Sequence, residues 1–347
     1  MGDGPMEVTA TAHARAAFDR VATRPAWAVC GVVVALSAVS AVAGVAPGPT
    51  LRYLPLAASV VVLGLPHGAV DYLVPARLGG RSLPESMALV GALYLLAGGA
   101  YAVLWLTAPV PAALLFVAVT WFHWGQGDVH ALVAFVGAEH LRSRPLRAAT
   151  LVVRGGLPMF VPLVAFPGRY RAVVGTWVEL FGADLAVTWL FAPGTRLVGG
   201  AAFLAVTVGT LAAGYRQAGA TRGWRVDAGE TALLWTFFLA VPPLVAVGVY
   251  FCVWHSLRHV LRVAAADGET ATVGAGLRRF AREAAPLTAL SLVLLVGFGA
   301  LVPATPSTPA ELAALYLVFV AVLTLPHVAV VTWMDLREGV WAGLSRG

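Results

Sequence analysis

Apolar stretches of about 20 residues, the length a helix needs to cross a hydrocarbon core roughly 30 Å thick, follow one another from Trp27 almost to the end of the chain. Little polar sequence separates them, so no soluble domain of useful size fits between one stretch and the next. With 59% of its 347 residues hydrophobic, 12% charged and a mean hydropathy of +0.83, the chain falls outside the range of soluble globular domains. The expected fold is all-α: a polytopic integral membrane helical bundle of 8 to 10 transmembrane helices in the cell membrane. Residues 1–25 would form an N-terminal tail, 26–334 a single transmembrane domain and 335–347 a short C-terminal tail.

Spans are expected near 26–45, 53–74, 87–107, 110–132, 196–214, 231–256, 286–303 and 312–334. The stretch 147–192, interrupted by Arg154, Pro158, Pro162, Glu179 and Asp184, is either two further spans or a re-entrant pair. Arginine placement favours two. With 147–166 and 172–192 both crossing and the N-terminus inside, the cytoplasmic side holds 16 arginines and the other side six; with one crossing the split is 11 against 11, which no topogenic bias produces. Both termini are therefore expected in the cytoplasm. Arg15, Arg20 and Arg24 precede the first apolar run as in a signal peptide, but that run is about 20 residues long and fits a retained span.

All 23 basic residues are arginine, and the net charge is +6. In so apolar a chain loop arginines set orientation and meet anionic lipid headgroups, so no nucleic-acid partner is expected. The two cysteines, Cys30 and Cys252, supply neither a disulfide framework nor a thiolate cage. Any metal must rest on histidine or carboxylate.

Ionisable groups inside a membrane are costly and mark function by default. Of eight histidines, His13 and His140 fall in charged tail or loop sequence and are expected in solvent, and His130 is expected to be peripheral. The other five sit in "GLPHGAVD" (His67), "WFHWGQGD" (His123), "WHSLRH" (His255, His259) and "TLPHVAV" (His327). In the even-crossing topology the spans carrying them all run towards the cytoplasm, and each histidine falls late in its span. A shared site at the cytoplasmic half follows. His255 and His259 share a helix face and can bind one ion. The glutamate that a zinc-peptidase H-E-x-x-H helix requires is absent, which excludes peptidase chemistry. Asp71 either orients His67 or marks the span's end beside Arg77, and Asp128 follows His123 beyond Gly125 and Gly127. Arg258 is expected to reach out to the headgroups. Neutral imidazoles without thiolate suit Fe(II), Zn(II) or Cu(II).

These motifs, Pro66-His67-Gly68 with Asp71, Phe122-His123-Trp124-Gly125 with Asp128, Trp254-His255 with Arg258-His259, and Pro326-His327, resemble the bacteriorhodopsin-related-protein (Brp/Blh) family of polytopic β-carotene 15,15′-dioxygenases. The resemblance implies cleavage of the central double bond of β-carotene into two all-trans-retinal molecules, with Fe(II) as cofactor and O₂ as co-substrate. It places the iron on His67, His123, His255 and His259. Asp71, Asp128 and His327 would support those ligands, His327 either by hydrogen bonding or by lining the substrate channel. Phe122, Trp124, Phe251 and Trp254 would line a tunnel opening sideways to membrane lipid, with a retinal-binding rhodopsin as product acceptor. Two rivals remain open: a haem-binding electron-transfer protein, and a non-catalytic transporter or rhodopsin-assembly partner.

Overall fold

The computed structural model describes residues 10–46, 48–265 and 273–341. Among them there is no strand, and eleven helices account for the bundle: α1 Ala14–Val42, α2 Pro49–Gly79, α3 Leu83–Thr107, α4 Pro109–Ala131, α5 Arg144–Ala165, α6 Pro167–Glu179, α7 Pro193–Ala218, α8 Arg222–Ala240, α9 Pro243–Ala265, α10 Gly274–Leu301 and α11 Pro309–Arg337. Eight of these are long and apolar enough to cross a membrane. α4 and α8, with 23 and 19 residues, also approach the length of a span; their composition is diluted by His123, Gln126 and Asp128 on one and Asp227 and Glu230 on the other.

Prolines and caps set the boundaries. Ser82 with Glu85 and Thr308 with Glu311 form capping boxes at the starts of α3 and α11, each satisfying orphan amide groups of the first turn. The chain departs from expectation in two places. The expected span 231–256 is two helices, because Pro242 and Pro243 remove backbone donors and hold Val241 extended, which no helix passes through. The expected span 172–192 does not cross: α6 has 13 residues, about 20 Å at 1.5 Å per residue, and Gly182 in the left-handed region ends the segment. One crossing is lost and one gained, so the parity of the topology survives.

Cross-contacts tie one set of helix ends together. The amide of Ala10 donates to Ala134, His140 meets Asp227, and Arg262 pairs with both Asp335 and Glu338. Both ends of the described chain therefore lie at the same end of the bundle. Among the described residues every arginine lies there except Arg154 and the four at Arg52, Arg169, Arg171 and Arg196. This asymmetry is steeper than the expected one, because the turn between α7 and α8, with Arg216, Arg222 and Arg225, belongs to the arginine-rich end.

Candidate functional site

α2, α4, α9 and α11 run in the same direction, and each delivers histidine to one depth. The five side chains, His67, His123, His255, His259 and His327, are all buried. The His327 ring centroid lies 4.9 Å from His67, 4.8 Å from His123 and 5.1 Å from His259. His255 lies 4.6 Å from His123 and 5.6 Å from His67. Local irregularities make the convergence possible. α2 breaks at Val62 and Leu63 and resumes as the short turn Gly64–Gly68 that carries His67. A Cβ on Gly64 would collide with the Ser59 carbonyl and come within 2.9 Å of Phe251. α9 widens into a π turn over Tyr250–Ser256, a feature frequent at functional sites, and His255 stands in it.

Nitrogen partners set the tautomers. His67 Nδ1 faces the Gly64 carbonyl, which only accepts, so the ring proton sits on Nδ1 and the Nε2 lone pair is free. His327 Nδ1 lies 2.8 Å from Asp71 Oδ2, and the Tyr94 hydroxyl donates to the same oxygen at 2.7 Å. Asp71 thus orients His327, not His67. The helix breaks at Ala69 and Val70 and turns to 3₁₀ geometry at Asp71–Leu73, so Asp71 is not one α-turn beyond His67. His123 Nε2 and His255 Nε2 stand 2.9 Å apart. Two nitrogens each about 2.0–2.1 Å from a shared ion and at right angles to one another would be about 3 Å apart.

His67, His123 and His327 offer nitrogens within 4.8 Å of one another, as do His259 and His327 with a carboxylate oxygen of Asp71. His123 Nδ1, His259 Nε2, His327 Nε2 and Asp71 Oδ1 are buried without a hydrogen-bond partner, a costly state for polar atoms. A borderline divalent ion suits this imidazole-rich, thiolate-free donor set and would satisfy His259 Nε2 and His327 Nε2, while His123, which meets His255 through Nε2, would keep Nδ1 turned away from it. The residues present fit a metal.

Behind the histidines lies a buried ion cluster. Arg154 reaches Asp227 at 2.7 Å, Glu230 at 3.0 Å and Asp128 at 3.4 Å. Arg258 pairs with Glu230 at 2.5 Å and Asp128 at 3.2 Å and lies over the Trp254 ring, 4.1 Å from its centroid. Arg258 is therefore turned inward, away from headgroups; two carboxylates draw it there. Trp254 Nε1 donates to Asp128 at 3.0 Å, so both belong to this cluster. His140 is buried against Asp227 at 2.9 Å and His130 against Glu338 at 3.1 Å, so neither is solvated, and both stand outside the five-histidine group. The side chain of His13 lies outside the described residues. The cluster clamps α4, α5, α8 and α9, two of which carry histidines of the centre.

A cavity of about 920 Å³ ends on His67, His123 and His327, near the upper limit for small-molecule sites. Trp124 and Phe251 line it, whereas Phe122 is partly exposed on the outer face of α4 and Trp254 is in the ion cluster. Its walls are apolar. Leu95 of α3 and Leu290 and Leu294 of α10 line the cavity, yet are 76%, 50% and 50% exposed. The cavity therefore opens sideways between α3 and α10, at bilayer depth. Tyr94, Asp227 and Glu230 were not singled out from sequence. A tyrosine in an apolar run carries no signal, but Arg154, a cation within a span, demands a carboxylate partner.

Residues 58–335 match the family model described as beta-carotene 15,15′-dioxygenase. The chain belongs to that family. It is 52% identical to the probable beta-carotene 15,15′-dioxygenase Blh of Halobacterium salinarum, over 98% of this chain and 100% of the relative. It is 32% identical to the probable beta-carotene 15,15′-dioxygenase Brp of the same organism, over 81% and 83%. A beta-carotene 15,15′-dioxygenase from an uncultured marine bacterium, 66A03, is 24% identical over 58% of this chain and 66% of the relative. No solved structure matches. The match covers all five histidines of the centre.

Proposed function

We propose that this protein cleaves β-carotene at its central 15,15′ double bond into two molecules of all-trans-retinal. One O₂ supplies the two aldehyde oxygens, so the atoms balance. The observation that carries the reading is the meeting of five buried imidazoles with a cavity of about 920 Å³ that opens to lipid. The names of its relatives support the same substrate.

His67, His123, His255 and His259 would hold Fe(II), which supplies O₂ activation when bound. His327, Asp71 and Asp128 support them, Asp71 through His327 and Asp128 by fixing Trp254 and Arg258 on α9. A long hydrocarbon partitions into the bilayer and reaches the cavity between α3 and α10. Trp124 and Phe251, packed beside the His255 and His67 rings, hold the polyene against the imidazoles, and the apolar walls exclude water. The arginine-rich end faces the cytoplasm of the cell membrane. Retinal leaves through the same opening into lipid, where a retinal-binding rhodopsin can accept it.

Against the haem rival, the rings stand 4.6–5.6 Å apart and leave no slot for a porphyrin between any facing pair. Expression in a β-carotene-accumulating bacterium tests the reading: yellow colour is lost and retinal appears, and His255→Ala and His259→Ala each abolish both changes. Unchanged colour with folded protein in the membrane refutes it.

A further inference from the structure

The series Tyr94, Asp71, His327 ends in a nitrogen with nothing to bond. Tyr94 and His327 both donate to Asp71 Oδ2, at 2.7 Å and 2.8 Å. A carboxylate oxygen that accepts from Nδ1 fixes the ring proton there and leaves a lone pair on Nε2. That Nε2 is buried without a partner, and it belongs to the one imidazole that appears in both groups of converging ligand atoms. A histidine serving only to bridge helices would use both nitrogens on protein partners. His327 instead contacts three other imidazole rings, at 4.8–5.1 Å. A carboxylate on one ring nitrogen with the other left for an ion is the usual arrangement of a metal-ligating histidine.

We propose that His327 is a fifth imidazole ligand of the metal centre, held in the ligating tautomer by Asp71, which Tyr94 in turn positions. This rests on the reading that the centre binds a metal. A fifth ligand leaves one position of a six-coordinate ion open instead of two, so O₂ and the polyene could not both bind the ion. The polyene would then be positioned by the cavity walls alone.

Co(II) titration of the chelator-stripped protein in detergent tests this independently of activity. The unaltered protein should bind one Co(II) with the weak visible absorption of five- or six-coordination. His327→Gln should bind on the order of 100-fold more weakly, and absorb more strongly per cobalt as the coordination number falls. Asp71→Asn and Tyr94→Phe, which keep the imidazole, should weaken binding by about 10–100-fold or less without that gain in absorption. Circular dichroism and elution volume establish folding. Where His327→Gln aggregates, weaker binding by the other two variants supports the proposal, and unchanged binding by both overturns it. His327→Gln with unaltered affinity and spectrum overturns it while leaving the four-histidine reading intact. Failure of the unaltered protein to take up Co(II) overturns the metal reading itself.

Discussion

Replacing Arg154 with Met removes a fully buried guanidinium from three carboxylates while keeping an unbranched chain of similar reach. Asp227 loses its guanidinium partner at 2.7 Å, Glu230 at 3.0 Å and Asp128 at 3.4 Å; Glu230 and Asp128 keep Arg258, and Asp227 keeps only His140. Removing one member of a buried ion pair costs about 3–5 kcal/mol, because the remaining charge stays buried. Unfolding entropy is about 2.1 cal/mol/K per residue, so the 347 residues here give about 0.7 kcal/mol/K and the expected fall in Tm is about 4–7 °C. A thiol-reactive fluorophore in detergent measures this, since Cys30 is fully buried in the cluster around Phe237 and Trp254 and reacts on unfolding. Adding Asp227→Asn removes one uncompensated charge and should return at least half of the loss. A single variant that melts within about 1 °C of the unaltered protein, or a double variant no better than the single, refutes the ionic reading of the cluster.

Gly155→Leu should destabilise by more than the roughly 1–3 kcal/mol of ordinary overpacking, because a Cβ there meets the Trp121 backbone carbonyl where α4 and α5 pack; the same melting assay checks it. Trp124→Ala should raise the KM for β-carotene severalfold, since Trp124 lines the cavity, whereas Phe122→Ala on the outer face should leave it unchanged; initial rates in carotene-loaded micelles decide. Burial pushes the Glu338 carboxyl up, but the His130 hydrogen bond and the Arg262 charge outweigh it and hold its pKa at about 2. A carboxyl depressed on folding stabilises above its unfolded value of about 4.3 and loses that contribution as pH falls towards 2. Glu338→Gln should therefore flatten the drop in Tm between about pH 4.5 and pH 2.5.

The histidine convergence was legible because direction of travel follows from arginine placement, and both depend on composition over long windows. Spans 231–256 and 172–192 were misread by that same averaging. Two adjacent prolines split the first, and the second ran out of helix at Glu179, just before the turn at Gly182; since the errors cancel in parity, His255 and His259 still arrive at the depth of His67 and His123. What sequence spacing could not give was the partner of each polar group. Asp71 reaches α11 because a two-residue break turns it off the face of His67. Arg258 turns inward because Glu230, far off in sequence, waits at 2.5 Å. A cation at a span's end reads as a headgroup anchor until its carboxylates are located in space.

The opening between α3 and α10 also fixes the units in which this protein meets its substrate. A molecule that enters sideways is counted per lipid, not per litre. Adding empty vesicles that fuse with the enzyme's own membrane lowers the encounter rate at constant total carotene, while changing the aqueous volume does nothing. The rate is then governed by two-dimensional diffusion within the membrane, and the apparent KM is a mole fraction.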